Sequence, residues 1–305
     1  MQPFEITILG CSSATPTANR NPSAQVVYVA NRLFLVDCGE GTQMQLRKYK
    51  IKFQKIDHIL ISHLHGDHYF GLMGLLSSMH LLGRKHALHL YAPAELKSII
   101  DIQLKYSQTY LNYELVFHAI NSAKPEILVE DERLIIKTII LNHRISCTGF
   151  LFKEKELPKK INKDKIVQYN IPDNYINLIK LGNSFTTSDG QIIDNAELTS
   201  VAHVPRSYAY CSDTCYLESV IEDVKGVDLL YHESTFMHDM QERAKETFHS
   251  TTIQAATVAL KSSAKRLVIG HFSARYRSLV PLLDEAKTVF ENTILAKQGE
   301  KIVID

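Results

Sequence analysis

The sequence has few cysteines, almost no net charge and no long apolar run, and each of these shortages excludes a class of protein. Its five cysteines are an odd number without the dense spacing of a disulfide scaffold, and none forms a CxxC pair, which suits a reducing compartment. Lysine and arginine total 34 against 33 acidic residues, so any affinity for nucleic acid must come from a local patch. No segment approaches the roughly 18 apolar residues of a membrane span, and the N-terminus lacks a signal-peptide pattern. We therefore expect a cytoplasmic protein that crosses no membrane.

Strand and helix patterns follow one another along all 305 residues, a length that can bury a sizeable core. The segments "FEITILG" (4–10) and "IDHILISH" (56–63) are apolar and partly β-branched and predict strands. Apolar residues at helical spacing predict helices over Thr42–Tyr49, in "YFGLMGLLSSMHLLG" (69–83) and in "TTIQAATVALKSS" (251–263). Strands dominate both halves of the chain and helices follow them. We therefore expect an α/β protein with two packed sheets.

Residues 153–183 differ from the rest of the chain in being rich in lysine, interrupted by Pro158 and Pro172, and poor in periodicity. Over residues 153–165, six lysines oppose three acidic residues, a net charge of +3. Such a patch suits contacts with phosphate, but a solvated loop has the same composition, and composition alone favours neither. We interpret residues 153–183 as an arm inserted into a single domain of residues 1–305.

The stretch "ISHLHGDHYFGLMGLL" (61–76) places His63, His65, Asp67 and His68 within six consecutive positions, in the predicted turn between a strand and a helix. Such crowding has no packing benefit, and protonated histidines repel one another. Side chains two residues apart point the same way, so His63 and His65 can share one side while Asp67 and His68 reach a second position beside it, which implies two metal sites. Imidazole and carboxylate without thiolate favour zinc or a similar divalent ion. Four ligands cannot fill two such sites, and the candidates for the others follow predicted strands: His143, Asp213 and His271.

The run "HLHGDH" (63–68) resembles the HxHxDH signature of the metallo-β-lactamase superfamily, and further motifs resemble its tRNA-processing branch, the ribonuclease Z family. These motifs are "SDT" (212–214), "HESTF" (232–236), "HSTTIQAA" (249–256) and "GHFSARY" (270–276), so the resemblance spans nearly the whole chain. It implies an αββα sandwich, in which two packed mixed sheets are flanked by helices. It also implies a zinc-dependent endoribonuclease that removes 3′ trailers from precursor tRNA after the discriminator nucleotide and leaves a tRNA 3′-hydroxyl.

The resemblance also assigns roles to individual residues. It implies two zinc ions per subunit, with Asp213 between them, held by His63, His65 and His143 and by Asp67, His68 and His271. Asp67 would orient the attacking water or accept its proton. His249 would assist the leaving oxygen, and Glu233 would hold the His249 ring in the required tautomer. A purely structural alternative is that "HSTT" starts a helix with Ser250 or Thr251 as its cap, and both roles can hold together.

On the substrate side, the resemblance implies that the arm grips the tRNA elbow, commonly from the partner subunit of a homodimer. That arm usually carries a "GIPxGP" element, whereas "NIPDNYINLIKLG" (170–182) keeps Ile171, Pro172 and Gly182 but lacks the second Gly-Pro. The loop "PTANRNPS" (16–23) resembles a loop that senses the tRNA 3′ end, although Ala18 stands where lysine is usual. The implied substrate-binding residues are Pro16, Arg20, Asn21, Lys159, Lys160, Lys163 and Arg275.

Two other functions fit parts of the same pattern. A small-molecule phosphodiesterase or thioester hydrolase would use the same metal-binding core, and only the arm distinguishes it from a tRNA endonuclease. An RNA-binding protein without turnover would need neither a pair of metals that activates water nor the pair of Glu233 and His249.

Overall fold

The structure is a computed structural model and describes residues 2–305. Its strands are β1 (Glu5–Gly10), β2 (Ala24–Val29), β3 (Arg32–Val36), β4 (Ile56–Leu60), β5 (Leu88–Ala92), β6 (Leu115–Ala119), β7 (Ile127–Glu130), β8 (Leu134–Leu141), β9 (Cys147–Glu154), β10 (Lys160–Ile161), β11 (Phe185–Thr186), β12 (Ile192–Ile193), β13 (Thr199–Ser200), β14 (Ser207–Cys211), β15 (Leu229–Glu233), β16 (Leu267–Gly270), β17 (Thr293–Leu295) and β18 (Lys301–Val303). Its helices are α1 (Thr42–Lys48), α2 (Gly66–Tyr69), α3 (Leu72–Leu81), α4 (Glu95–Tyr106), α5 (Lys163–Gln168), α6 (Asp173–Lys180), α7 (Asn195–Leu198), α8 (Glu218–Asp223), α9 (Gln241–Thr247), α10 (Thr252–Lys261) and α11 (Val280–Lys287).

The larger of two compact units comprises residues 2–130, 134–153 and 206–305 and contains two seven-stranded mixed sheets. The first sheet has the order β18-β1-β2-β3-β4-β5-β6, and the second has the order β17-β16-β15-β14-β9-β8-β7. Apolar side chains of both sheets form one core, in which the rings of Phe34 and Phe152 meet edge to face with centroids 5.6 Å apart. A second core covers the other face of the first sheet with α1, α3 and α4. The predicted α/β fold with two packed, helix-flanked sheets is confirmed.

The chain around the histidine-rich motif differs in detail from the sequence-based prediction. The strand ends at Leu60 rather than at residue 63, the predicted turn after it contains the short helix α2, and the helix predicted over residues 69–83 is α3, which begins at Leu72. Gly71 separates the two helices, and its amide donates to the Cys38 carbonyl (2.9 Å). A Cβ at Gly71 would lie 2.1 Å from the Gly39 carbonyl oxygen, so the close approach of these two loops requires glycine.

The smaller unit comprises residues 131–133 and 154–205 and has its own apolar core. That core consists of Ile171, Ile179, Phe185, Ile193 and Leu198. Strand β10 pairs with β13 and strand β11 with β12, both antiparallel, and α5, α6 and α7 complete the unit. The sequence is poor in clear periodicity here, since none of these helices exceeds eight residues. Most of residues 153–183 lie in this unit, and their description as an inserted arm stays a prediction.

Across residues 2–305, no helix combines the length and the apolar character that a membrane span requires.

Candidate metal centre and active site

The candidate site lies where parallel strands of the larger unit end. β3 is parallel to β4, and β14, β15 and β16 are parallel to one another. Because the carboxyl ends of parallel strands share one edge of a sheet, the residues that follow them are brought together. The residues at or just beyond these ends are Asp37 after β3, His63 after β4, Asp213 after β14, Glu233 at the end of β15 and His271 after β16, and His143 joins them from the loop after β8 of the second sheet.

Two of the three groups of possible metal donors within residues 2–305 share Asp213, and the first of these two donor groups consists of His63, His65, His143 and Asp213. Nδ1 of His65 lies 3.1 Å from Nε2 of His63 and 3.1 Å from Nε2 of His143. Oδ2 of Asp213 lies 3.7 Å from Nε2 of each of these two residues. Burial and the neighbouring His68 hold the pKa of His63 well below its ordinary value, so its imidazole is neutral and has a lone pair to offer.

The second donor group consists of Asp67, His68, His271 and again Asp213. Oδ1 of Asp213 lies 3.4 Å from Nε2 of His68 and 3.2 Å from Nε2 of His271. Oδ2 of Asp67 lies 3.4 Å and 3.3 Å from the same two nitrogens. Burial alone would raise the pKa of Asp67, but the charge of His68 and the hydrogen bond with His271 hold it below its ordinary value. Asp213 therefore faces one group with each carboxylate oxygen.

These spacings fit metal ions. Tetrahedral zinc binds nitrogen and oxygen at about 2.0–2.2 Å, which sets its ligand atoms roughly 3.3–3.6 Å apart. The spacings of 3.1–3.7 Å in both groups lie around this range. Each group could therefore hold one ion, and the carboxylate of Asp213 could touch both.

Four of the five histidines use their other ring nitrogen to donate a hydrogen bond to the protein. The pairs are His63 with Ser62 Oγ (3.0 Å), His68 with Asp37 Oδ2 (2.7 Å), His143 with the Phe248 carbonyl (2.8 Å) and His271 with Thr235 Oγ1 (2.9 Å). Such bonds fix the tautomer and the ring orientation, so that Nε2 of each ring is the nitrogen presented to a metal.

Asp37 is the most heavily engaged of these supporting residues. Besides accepting the hydrogen bond from His68, its carboxylate accepts bonds from the Ser62 amide (2.8 Å), the Ser62 hydroxyl (2.9 Å) and the Tyr210 hydroxyl (2.7 Å). Its side chain is fully buried, and its φ of 55° is in the left-handed region. Aspartate tolerates this region better than most residues, so the chain can turn there and still place a carboxylate behind His68.

A carboxylate–imidazole pair lies beside the second donor group. His249 Nδ1 donates to Oε1 of Glu233 at 2.8 Å, and the amides of Ser250 (3.0 Å) and Thr214 (3.1 Å) donate to the same oxygen. Burial alone would lower the pKa of His249, but the Glu233 carboxylate raises it to about 9. The ring is therefore cationic at neutral pH, and Nε2 is the nitrogen that remains for a substrate. Thr251 caps α10, so the helix-capping role predicted for "HSTT" is confirmed, and the catalytic role of His249 stays a prediction.

A cleft of about 380 Å³ opens onto these residues. Asp67, Asp213, His249 and His271 lie in its floor or walls. The rest of its lining consists of Ser13, Ala14, Pro16, Pro22, Glu40, His65, Gly66, Phe70 and Arg144. A ligand in this cleft would touch both donor groups and His249 at once.

The predicted substrate-binding residues have different surroundings. Pro16 lines the cleft, and Arg275 is exposed above the Phe236 ring, with its guanidinium carbon 4.9 Å from the ring centroid. Asn21 is a structural link, because its side-chain oxygen accepts from Gln45 Nε2 at 2.5 Å. Arg20 donates weakly to the Ser273 carbonyl (3.4 Å). The three lysines belong to the smaller unit: Lys159 donates to Asn195 (2.8 Å), and Lys160 and Lys163 are exposed.

Sequence reasoning missed Asp37, Thr235, Phe70 and Arg144. Asp37 had a usable signal, since a single acidic residue follows the apolar strand β3 directly, in "RLFLVDCGEG". The other three stand within two residues of a selected residue, but the contacts and exposure that single them out are encoded in no local pattern.

Comparison with known proteins agrees with this geometry. A family model described as "Anti-Pycsar protein Apyc1" matches residues 4–158. A ribonuclease Z from Phocaeicola vulgatus is 50% identical over 305 residues, which is 100% of this chain and 99% of that protein. Human tRNase Z, short form (ELAC1), superposes with a TM-score of 0.72 at 29% identity and 99% coverage of both chains. The metallo-beta-lactamase fold protein YhfI from Bacillus subtilis superposes with a TM-score of 0.69 at 21% identity and the same coverage.

The two sheets and the histidine–aspartate centre define a protein of the metallo-β-lactamase fold. Within this class the chain belongs to the ribonuclease Z family, and over residues 4–158 it also belongs to the family that the Apyc1 model describes. The family predicted from the sequence motifs is confirmed.

The contacts of Asp37 predict its effect on metal binding. Asp37→Asn replaces the carboxylate that accepts the hydrogen bond from His68 Nδ1, so we expect metal affinity to fall about 10–100-fold. Competition with a chromogenic chelator measures this affinity, and circular dichroism checks that the variant is folded. Asp101→Asn, in the exposed part of α4, is the matched control and should bind metal as the wild type does. Unchanged affinity in a folded Asp37→Asn protein would contradict the role given to this carboxylate.

Proposed function

We propose that this protein is an endoribonuclease that removes the 3′ trailer of precursor tRNA by hydrolysing the phosphodiester after the discriminator nucleotide. The observation that carries the proposal is the arrangement of two adjoining donor groups and the Glu233–His249 pair around one cleft. Membership of the ribonuclease Z family and the likeness to human tRNase Z support the choice of substrate. Action on precursor tRNA also favours a cytoplasmic location.

We propose that the resident metals are two zinc ions. Zinc suits a set of histidine and carboxylate donors whose ligand atoms are spaced nearly as in a tetrahedral site. The first ion would be held by His63, His65 and His143 and the second by Asp67, His68 and His271, with Asp213 between them. A pair of bound ions supplies an acidified water and neutralises the charge that builds on the phosphodiester.

The chain's own residues move the protons. Asp67, kept ionised by its neighbours, is placed to orient the attacking water and to accept its proton. His249 is cationic at neutral pH and can donate its Nε2 proton to the departing O3′ atom, which leaves a 3′-hydroxyl on the tRNA. Glu233 holds the His249 ring through Nδ1, so that Nε2 faces the cleft in the acidic form.

The first prediction of this proposal concerns the cleavage itself. Metal-loaded wild-type protein should cut an end-labelled precursor tRNA once, directly 3′ of the discriminator. Asp67→Ala should lose cleavage, since it removes a ligand and the proton acceptor, and His249→Ala should slow it about 10²–10⁴-fold, as expected for loss of a general acid. Gel mapping of the cut to the nucleotide measures both effects. Chelation should abolish cleavage, and added zinc should restore it.

His238→Ala is the control for His249→Ala, because His238 also lies near the start of α10 and its Nδ1 is 3.2 Å from the Thr251 hydroxyl. It should cut as the wild type does. If the wild type leaves precursor tRNA intact but hydrolyses a small chromogenic phosphodiester, the protein is a small-molecule hydrolase and the proposal fails.

The second prediction concerns the smaller unit. Lys165 is paired with Glu197 at 2.8 Å, whereas Lys160 and Lys163 are exposed and suited to phosphate contacts. The double variant Lys160→Glu/Lys163→Glu should weaken tRNA binding and lower the salt dependence of log Kd by about 2, one for each lost contact. The variant Lys52→Glu/Lys55→Glu makes the same charge change on the larger unit and should bind as the wild type. Equal losses in both variants would assign the effect to net charge alone.

The third prediction concerns assembly, since we propose that the protein is a homodimer. Met44 on α1 and Leu81 and Leu82 at the end of α3 are between 55% and 79% exposed, and we propose that a partner subunit covers these apolar side chains. Leu81→Glu/Leu82→Glu should therefore shift the sedimentation mass from two chains to one. Ile102→Glu, which also charges an exposed apolar position, should leave the mass unchanged. A monomeric wild type would refute the homodimer and leave the cleavage chemistry intact.

A further inference from the structure

Phe70 is an exposed aromatic residue in the wall of the active-site cleft. Its side chain is 66% exposed, although burial of a phenylalanine is normally favourable. It lines the same cleft as Asp67, His249 and His271. It ends α2, the short helix that carries the ligand residues Asp67 and His68. An apolar ring therefore stays in solvent beside the residues that surround the scissile bond.

The local structure holds this ring in place. A Cβ added at Gly66 would lie 2.2 Å from Cε2 of Phe70, so the ring packs on the bare backbone between His65 and Asp67. The ring of Tyr69 meets it edge on, with centroids 5.1 Å apart and planes at 67°. These contacts use the edge of the ring and one part of its surface and leave most of the ring available to a ligand.

We propose that Phe70 is a stacking platform for a nucleobase next to the scissile phosphate, an inference that rests on the proposed function. When a phosphodiester contacts the donor groups, its two flanking nucleotides lie against the walls of the cleft. Unpaired bases stack on exposed aromatic rings whatever their sequence, which suits an enzyme whose substrates differ in the nucleotides around the cut. Arg144 lines the same cleft and supplies positive charge for the adjoining backbone. Phe70 thus orients the substrate strand and takes no part in proton transfer.

The test is a double-mutant cycle that combines removal of the Phe70 ring with removal of one nucleobase of the substrate. The rates of Phe70→Ala and wild type are compared on precursor tRNA that is natural, abasic at the discriminator, or abasic at the first trailer nucleotide. On the natural substrate, Phe70→Ala should lower kcat/KM about 5- to 150-fold, the range for loss of one stacked base. At one of the two abasic positions, kcat/KM of the wild type should fall by a similar factor relative to the natural substrate. At the same position, kcat/KM of Phe70→Ala should fall almost no further. The position that couples identifies which base stacks.

Further variants separate stacking from other causes. Phe70→Trp, which keeps a flat ring, should retain activity, and Phe70→Leu, which is apolar without a ring face, should not. Tyr110→Ala removes an aromatic side chain that is 85% exposed outside the cleft lining and should have no effect. Additive losses at both abasic positions would overturn the inference. So would a fall in sedimentation mass for Phe70→Ala without coupling, because the ring would then contact a second copy.

The two proposals fail in distinguishable ways. A wild type that does not cut the natural precursor overturns the proposed function and this inference together. A wild type that cuts it at the expected nucleotide, with Phe70→Ala equally active, overturns the inference alone.

Discussion

The structure depends on keeping several histidine ring nitrogens, with their lone pairs, close together in the candidate metal site. Nδ1 of His65 lies 3.1 Å from Nε2 of both His63 and His143 in one donor group, and the Nε2 atoms of His68 and His271 lie 3.4 Å apart in the next. Facing lone pairs repel, and only a cation between them reverses the sign of the interaction. The protein keeps the rings in position by placing them at strand ends and by bonding their other nitrogens. Unusual backbone is part of this, since His271, like Asp37, has a positive φ, and such conformations persist only where the surroundings enforce them.

The buried carboxylate of Glu233 links the candidate metal ligands to the candidate general acid, His249. Oε1 of Glu233 holds His249, and Oε2 accepts a hydrogen bond from the Thr235 hydroxyl at 2.8 Å. The oxygen of that hydroxyl accepts in turn from Nδ1 of His271 at 2.9 Å. Glu233 therefore orients a candidate general acid directly and a candidate ligand through one intermediate. Because the carboxylate is fully buried, any change in its charge would alter both halves of the site together.

The parts of the site that follow from local spacing could be predicted from the sequence. His63, His65, Asp67 and His68 stand within six residues, so a turn of almost any geometry brings them together. His143, Asp213 and His271 could be proposed as strand-end residues, but their division between two ions depends on the register of two sheets and came only from a resemblance. Asp37 and Thr235 act through single hydrogen bonds set by that register. The smaller unit was also underestimated, because its helices are too short for a periodic pattern and its core has only five buried residues.

The metal centre explains the chemistry but cannot explain the choice of substrate. A phosphodiester presents the same atoms at every linkage of an RNA, so the seven candidate ligands treat all linkages alike. Discrimination must come from groups that contact features unique to one site: the fold of the tRNA, the end of the acceptor stem and the bases beside the cut. Pro16, Phe70 and Arg144 on the cleft walls and the exposed lysines of the smaller unit are the groups that we propose for this role. A chain of this family can therefore change its substrate range while the donor groups stay as they are.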